Sequence, residues 1–168
     1  MDDRRTCRAE ARACEFWPDS AAWQGGVSHA ATDSMRTGPL AELTIEAARQ
    51  TIALVDELPR RRVFFRLGDQ LLDSGTSQAA NYRAVCRAKS TPDFIAKLKI
   101  VEEESDESDF WIDRLFDAKL PPALHEAARK LQNLFIQITK MTVASLKTAR
   151  ERQRALQDAK RTARTRHS

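Results

Sequence analysis

Apolar and small residues recur at intervals of three or four in four separate stretches between Ala41 and Ser145, and only an α-helix brings residues so spaced onto one line. The strictest run is Phe94, Leu98, Val101, Ser105, Ser108, Ile112 and Leu115, a heptad seam without a break. A strand would scatter these side chains over both of its faces. Three other stripes accompany it. Ala41, Ile45, Ala48, Ile52 and Val55 predict a helix from about Leu40 to Leu58, stopped by Pro59. Phe64, Leu67, Leu71, Gly75, Ala79, Tyr82 and Cys86 predict a second from about Val63. Leu124, Ala127, Leu131, Leu134, Ile138, Met141 and Ser145 predict a fourth, after the break at Pro121-Pro122. For the third, Thr91 reads as the N-cap, Pro92 as the first helical residue and Asp93 as a complement to the helix dipole, with the end near Ala118.

Four amphipathic helices with short connections predict an all-α, antiparallel up-down-up-down four-helix bundle over residues 39–148. Five Gly and six Pro in 168 residues are too few for a turn-rich sandwich or barrel. Residues 1–38 hold Trp17-Pro18, Gly25-Gly26 and Gly38 without a sustained period, and read as a disordered leader. Met35 stands just before the first stripe, so an over-extended start would account for a leader so unlike the rest. The longest apolar run, Ile52 to Val55, is far short of the roughly 20 residues that span a bilayer. The N-terminus lacks the apolar stretch of a signal peptide, and three cysteines build no disulfide framework. The expectation is a cytoplasmic protein.

Charge is distributed unevenly. Residues 39–146 carry fifteen Lys or Arg against sixteen acids, whereas residues 147–168 carry eight against two. Residues 149–168 therefore form a basic tail, expected to prolong the fourth helix. Arg150, Arg152, Arg154, Lys160, Arg161, Arg164 and Arg166 are its candidate phosphate contacts for RNA or DNA. A solvated helix end is the alternative. No aromatic residue follows Ser145, so base stacking is not expected.

The acidic run Glu102, Glu103, Glu104, Asp106, Glu107 and Asp109 raises the question of a metal site. A di-iron bundle needs two Glu-x-x-His pairs, and His125 is the one histidine of the bundle, with Pro122 three residues before it. Cys7, Cys14 and His29 lack zinc spacing. No metal or cofactor is expected. Ser74, Ser77 and Cys86 lack a nearby histidine, and no glycine-rich phosphate loop occurs, so no enzyme is expected either.

A structural role fits these residues better. If helices two and three turn around Ser90, residue i lies opposite 180 minus i, and Ser74–Ser77 face Glu103–Asp106. Gly75 would let helix three approach closely, and hydroxyls would bond its carboxylates. Together with Ser105 and Ser108 this makes a polar layer, a device that fixes register or oligomeric state. Asn81 and Trp111 border it. Arg83, Arg87, Lys97 and Lys99 are candidate partners for Glu103, Glu104 and Glu107, within one chain or across a subunit boundary; a solvated acidic face is the alternative. Ile95, Phe110 and Trp111 lie off the heptad seam, a second apolar face that needs a second partner.

The segments Leu71-Leu72-Asp73-Ser74-Gly75-Thr76-Ser77-Gln78-Ala79-Ala80-Asn81-Tyr82-Arg83-Ala84 and Asp93-Phe94-Ile95-Ala96-Lys97-Leu98 resemble the four-helix-bundle protein family, also called the 23S rRNA intervening-sequence protein family. Val101 to Ser108 and Phe110-Trp111-Ile112 extend the match, which covers about 49 residues from Leu67 to Leu115. The resemblance implies a small bacterial protein, an antiparallel four-helix bundle and a ring-shaped homopentamer with no established reaction. A related branch serves diversity-generating retroelements, where a basic pentamer binds reverse transcriptase and nucleic acid. Here the bundle is slightly acidic, so only the tail supports such contact. The expected function is a non-enzymatic oligomeric scaffold or interaction protein. The alternative is a nucleic-acid-binding accessory protein with a reverse transcriptase partner.

Overall fold

A computed structural model describes residues 38–165. The expectations for residues 1–37 and for Arg166 lie outside the described residues. The rest is helical, with no strand among the described residues: α1 (Pro39–Asp56), α2 (Arg62–Val85), α3 (Thr91–Asp117), a short 3-10 turn (Pro122–Leu124) and α4 (His125–Thr165). No helix among these is long and apolar enough to cross a membrane.

The helix ends follow local chemistry. Pro39 occupies the first turn of α1, where its missing N–H is not needed. The cap of α3 is Ser90 rather than Thr91: its Oγ accepts from Asp93 N at 3.3 Å, while the Asp93 carboxylate accepts from Lys89 N at 2.8 Å. Two unsatisfied donors are thereby covered from both sides. At the other end Leu120 N donates to Leu115 O at 3.1 Å and Lys119 N to Phe116 O at 2.9 Å, with Lys119 at φ 65°. This is a Schellman closure in which lysine stands where glycine is usual.

Successive helices pack side by side, and α1 also packs on α4. On α3 the structure buries the residues that the heptad seam names, from Phe94 to Leu115. On α1 it does not. Of the expected stripe only Ala41 is buried; the buried line is Leu40, Thr44, Ala47, Thr51 and Leu54, one residue back, and Ile45 and Ile52 are 59% and 56% exposed. Two features make this rotation possible. Thr44 Oγ1 donates to Ala41 O and Thr51 Oγ1 to Ala47 O, both at 2.8 Å, so neither buried hydroxyl is left unpaired. The bare Cα of Gly75 on α2 also leaves space that the Thr51 side chain fills.

The α4 stripe is corrected in part: Leu124, Leu131, Ile138 and Met141 are buried as expected, whereas Ala127 is exposed and Leu134 and Ser145 are half-buried, and Ala128, Phe135, Thr142, Leu146 and Ala149 are buried beside them. Phe135 is fully enclosed and sets the direction of the helix, because it has the most apolar surface to remove from water.

Candidate subunit and nucleic-acid interfaces

The polar layer lies where α2 meets α3. Ser77 Oγ donates to Glu104 Oε1 at 2.9 Å, and Asn81 Nδ2 reaches Ser77 Oγ and Ser77 O, both at 3.0 Å. One helical turn along, Ser108 Oγ lies 2.9 Å from Ser74 Oγ. Residue numbers fall on one helix as they rise on the other, so α2 and α3 run antiparallel in nearly the anticipated register. Both serines of the deeper pair are almost fully buried, as is Ser105, whose hydroxyl turns back to Val101 O at 2.8 Å. The layer extends onto α1 through Gln78, which is fully buried and donates to Thr44 O at 2.8 Å.

Gly75 corrects the expected geometry. A Cβ at this position would lie 2.6 Å from Thr51 Oγ1 and 2.8 Å from Thr51 Cγ2, so the residue permits the approach of α1, not α3. Successive side chains on a helix are 100° apart, and Ser74 and Gly75 therefore serve different neighbours.

The expected ion pairs are also redistributed. Lys97 pairs with Asp93, one turn before it on α3. Lys99 bridges to Glu102 at 2.7 Å and Glu103 at 3.6 Å. Glu107 accepts from Trp111 Nε1 at 2.9 Å, and the Trp111 ring meets Phe110 edge-on at 4.9 Å. Arg83 and Arg87 are exposed and make no ion pair with these acids. The α3 carboxylates thus bond within their own helix or to the small polar residues of α2 and Gln132 of α4. Asp113 accepts from Gln132 Nε2 at 2.9 Å. Asp109 is held above the ordinary aspartate range, first by burial and then by the nearby Asp113 and Asp106 charges, against the lowering effect of Gln132. Among the described residues no group of three or more His, Cys, Asp or Glu side chains is placed to hold a metal ion. His125 instead bonds through Nε2 to Leu120 O at 2.8 Å and stacks edge-on against Phe116.

The basic tail is the outer part of α4. This helix has 41 residues, about 60 Å at 1.5 Å per residue, against 27 for α3. Its last buried residue is Ala149. Beyond it Arg150, Arg152, Arg154, Lys160 and Arg161 are all exposed, and Arg161 makes only a long 3.8 Å contact with Asp158. Arg150, Arg154 and Arg161 fall on one side of the helix, four and seven residues apart, with Lys147 on the same side. Arg152 and Lys160 fall elsewhere, and Arg164 lies in the last turn.

Residue spacing missed one surface. Ile45, Ile52 and Phe65 are the most exposed large apolar residues described, the last at 67%. The available signal was the presence in α1 of two adjacent stripes, of which the more apolar turns outward.

No protein-family model matches the chain, and no curated protein matches it. Among solved structures it is similar to a crystal structure from Bacteroides thetaiotaomicron, described as a protein of unknown function from the S23 ribosomal protein family. The two share 29% sequence identity and a TM-score of 0.59, over 64% of this chain and 95% of that one.

Proposed function

We propose that the protein is a non-enzymatic, homo-oligomeric scaffold built on an up-down-up-down four-helix bundle of the intervening-sequence type. The opposed numbering of the α1–α2, α2–α3 and α3–α4 contacts supports that topology, and the S23-family neighbour is compatible with that type. The observation that carries the oligomeric reading is the outward stripe of α1. Ile45 and Ile52 stand more than half exposed while two threonines of the same helix are buried. Apolar area left in water on a folded domain marks a surface that another surface covers. The family resemblance supports a pentamer. Light scattering on the purified protein tests this: the expected mass is five times the 19.0 kDa protomer, and a stable monomer at micromolar concentration overturns it.

A second reading, contact with RNA or DNA, rests on the projecting cationic end of α4. A pentamer would present five such ends, and linked weak sites raise avidity without any new contact. The expected behaviour is sequence-tolerant binding that falls steeply with added salt. Titrating one RNA with the full chain and with a truncation after Thr148, at low and physiological salt, decides the matter. Equal affinity removes the tail from the account, and loss of binding on truncation supports it. A reverse transcriptase partner belongs to this second reading alone.

A further inference from the structure

The buried line of α4 does not stop where the bundle does. Ile138, Thr142, Leu146 and Ala149 are buried, and the same spacing of three and four runs on through half-buried Gln153 to Leu156, 42% exposed, and Lys160. The stretch from Arg150 to Thr165 extends about 24 Å at 1.5 Å per residue. Charge is sorted around it. At 100° per residue Arg152 and Lys160 lie within about 40° of Leu156, whereas its two acids, Glu151 and Asp158, lie about 140–160° away. The Leu156 side therefore has an apolar centre, a cation one turn to either side and no acid. Its one ion pair among the described residues, Arg161 with Asp158 at 3.8 Å, is on the far side. Arg150, Arg154 and Arg161, candidate phosphate contacts, also lie about 120–160° away from Leu156. Of the nearest acids on other helices, Asp93 in the first turn of α3 is already paired with Lys97, and Glu42 lies on the outer line of α1 with Ile45.

The chain supplies a segment of complementary chemistry at the same end. With the up-down-up-down topology proposed above, the start of α1 and the end of α4 share one end of the bundle. Residues 1–37, which lie outside the described residues, hold two of the three tryptophans, Trp17 and Trp23, with Phe16 beside the first. Residues 13–35 carry Glu15, Asp19 and Asp33 and no Lys or Arg. Residues 1–12 carry four Arg against three acids, so the complementarity belongs to the later part alone. Fifteen residues lead from Trp23 to Gly38, the cap of α1, and such a connection spans up to about 50 Å. Leu156 is only about 10 Å along the helix from the last buried residue, Ala149.

We propose that residues 14–23 dock on the Leu156 side of the same chain's α4, with Trp17 and Trp23 against Leu156 and with Glu15 and Asp19 beside Arg152 and Lys160. An indole is drawn both to apolar surface and to a guanidinium over its face. The short connection holds the segment at high effective concentration, so a small apolar area is enough to keep it there. A second copy's α4 is a poorer occupant, because seam against seam sets Arg152 and Lys160 against their own kind. Docking on this side leaves Arg150, Arg154 and Arg161 open. The contact thus neither requires nor excludes the oligomer or the binding of RNA.

Disulfide trapping in the full-length chain tests this. Cys7→Ser leaves Cys14 as the one thiol before α1, and Cys86 is buried. Gln153→Cys then adds a thiol on the Leu156 side of α4, and Asp158→Cys adds one on the far side at a similar reach. Under mild oxidation the disulfide to Cys14 within one chain, identified by peptide mapping, is expected to form about ten times faster in the first variant. Adding Trp17→Ser with Trp23→Ser should abolish the difference. Equal rates, a difference that survives loss of both tryptophans, or a disulfide formed mainly between two chains overturns the proposal. Should either thiol variant lose helicity by circular dichroism, tryptophan emission decides instead. In a Trp111→Phe chain the two remaining indoles should emit to the blue and resist acrylamide, and Leu156→Glu should expose both. Emission unchanged by Leu156→Glu overturns the proposal.

Discussion

Gly68 and Gly75 sit seven residues apart on the same face of α2, and replacing each by alanine should move stability in opposite directions. In a helix interior alanine is preferred over glycine by about 1 kcal/mol. At Gly68 the added methyl would lie 3.0 Å from Leu58 Cδ1 and 3.4 Å from Val55 Cγ1, the ends of side chains that can give way. Gly68→Ala should keep most of the helix gain. At Gly75 the methyl meets Thr51 Oγ1 at 2.6 Å and Cγ2 at 2.8 Å, inside van der Waals contact. Thr51 is fully buried, and its hydroxyl is bonded to Ala47 O. It cannot yield without breaking that bond or shifting α1. Overpacking of this kind costs about 1–3 kcal/mol, which cancels or outweighs the gain. Gly75→Leu should cost more again.

The cause can be isolated with a double-mutant cycle. Thr51→Ala removes both close atoms and leaves Cβ 3.2 Å from the new methyl. Alone it should destabilise, by about 1 kcal/mol for the lost methyl; in the Gly75→Ala background it should stabilise. The coupling energy should fall in the range of about 1–3 kcal/mol typical of residues in direct contact. Urea unfolding at one fixed protein concentration measures all four corners, the fixed concentration being needed because assembly adds to apparent stability. A Gly75→Ala protein as stable as Gly68→Ala, or a coupling near zero, refutes the close approach of α1 and α2 at this point.

Other perturbations have equally definite signs. Lys119 closes α3 at φ 65°, a conformation costing a side-chain-bearing residue about 1 kcal/mol or more, so Lys119→Gly should raise the urea midpoint despite the freer unfolded chain. The Asp109 carboxyl is held above its ordinary value of 3.8. The native state therefore binds the proton more tightly than the unfolded state, and this group's contribution to stability falls as pH rises from 3.8 through the raised value. Asp109→Asn should accordingly raise the melting temperature at neutral pH, with the advantage shrinking as the pH falls from the raised value to 3.8 and absent below it; a constant advantage at all pH values would mean that packing, not charge, is responsible. Removing the Ser77 hydroxyl with Ser77→Ala takes a donor from the part-buried Glu104, and should cost about 1 kcal/mol of stability in urea unfolding.

How much of this was legible in the sequence differs from helix to helix. α3 was readable almost residue by residue because its inner line is the one apolar heptad it has; the outer line is carboxylates interrupted by Phe110. That Ser74 and Ser77 face the acidic stretch of α3 followed from turn position, since an antiparallel pair has one register once the turn is placed, but a turn at Ser90 sets them opposite Asp106 and Glu103, two and one residues short of the Ser108 and Glu104 that they meet. Register does not fix rotation, however. Which of two neighbouring residues faces which helix depends on the turn of α2 about its own axis, and there Ser74 goes to α3 while Gly75 goes to α1. α4 misled because Leu134 and Phe135 each extend a plausible stripe, and only packing selects the phenylalanine.

α1 is the instructive case, because hydrophobicity alone ranks its two stripes in the wrong order. Burying an isoleucine is worth roughly 1.5–3 kcal/mol, so an isolated bundle would gain by turning α1 through one residue and taking Ile45 and Ile52 inside. The facing helix forbids it. Thr51 already fills the space over Gly75 with its branched head at 3.2 Å or less from where a Cβ would lie, and the longer side chain of Ile52 in its place would force the helices apart. Thr44 in turn lends its carbonyl to the buried Gln78, and that bond holds its backbone against α2. The close helix contact and the polar layer thus keep the isoleucines outward. The same residues that hold one protomer together create the apolar surface on which the next protomer is proposed to dock, and changes at Gly75 or Gln78 that loosen α1 should weaken assembly as well as folding.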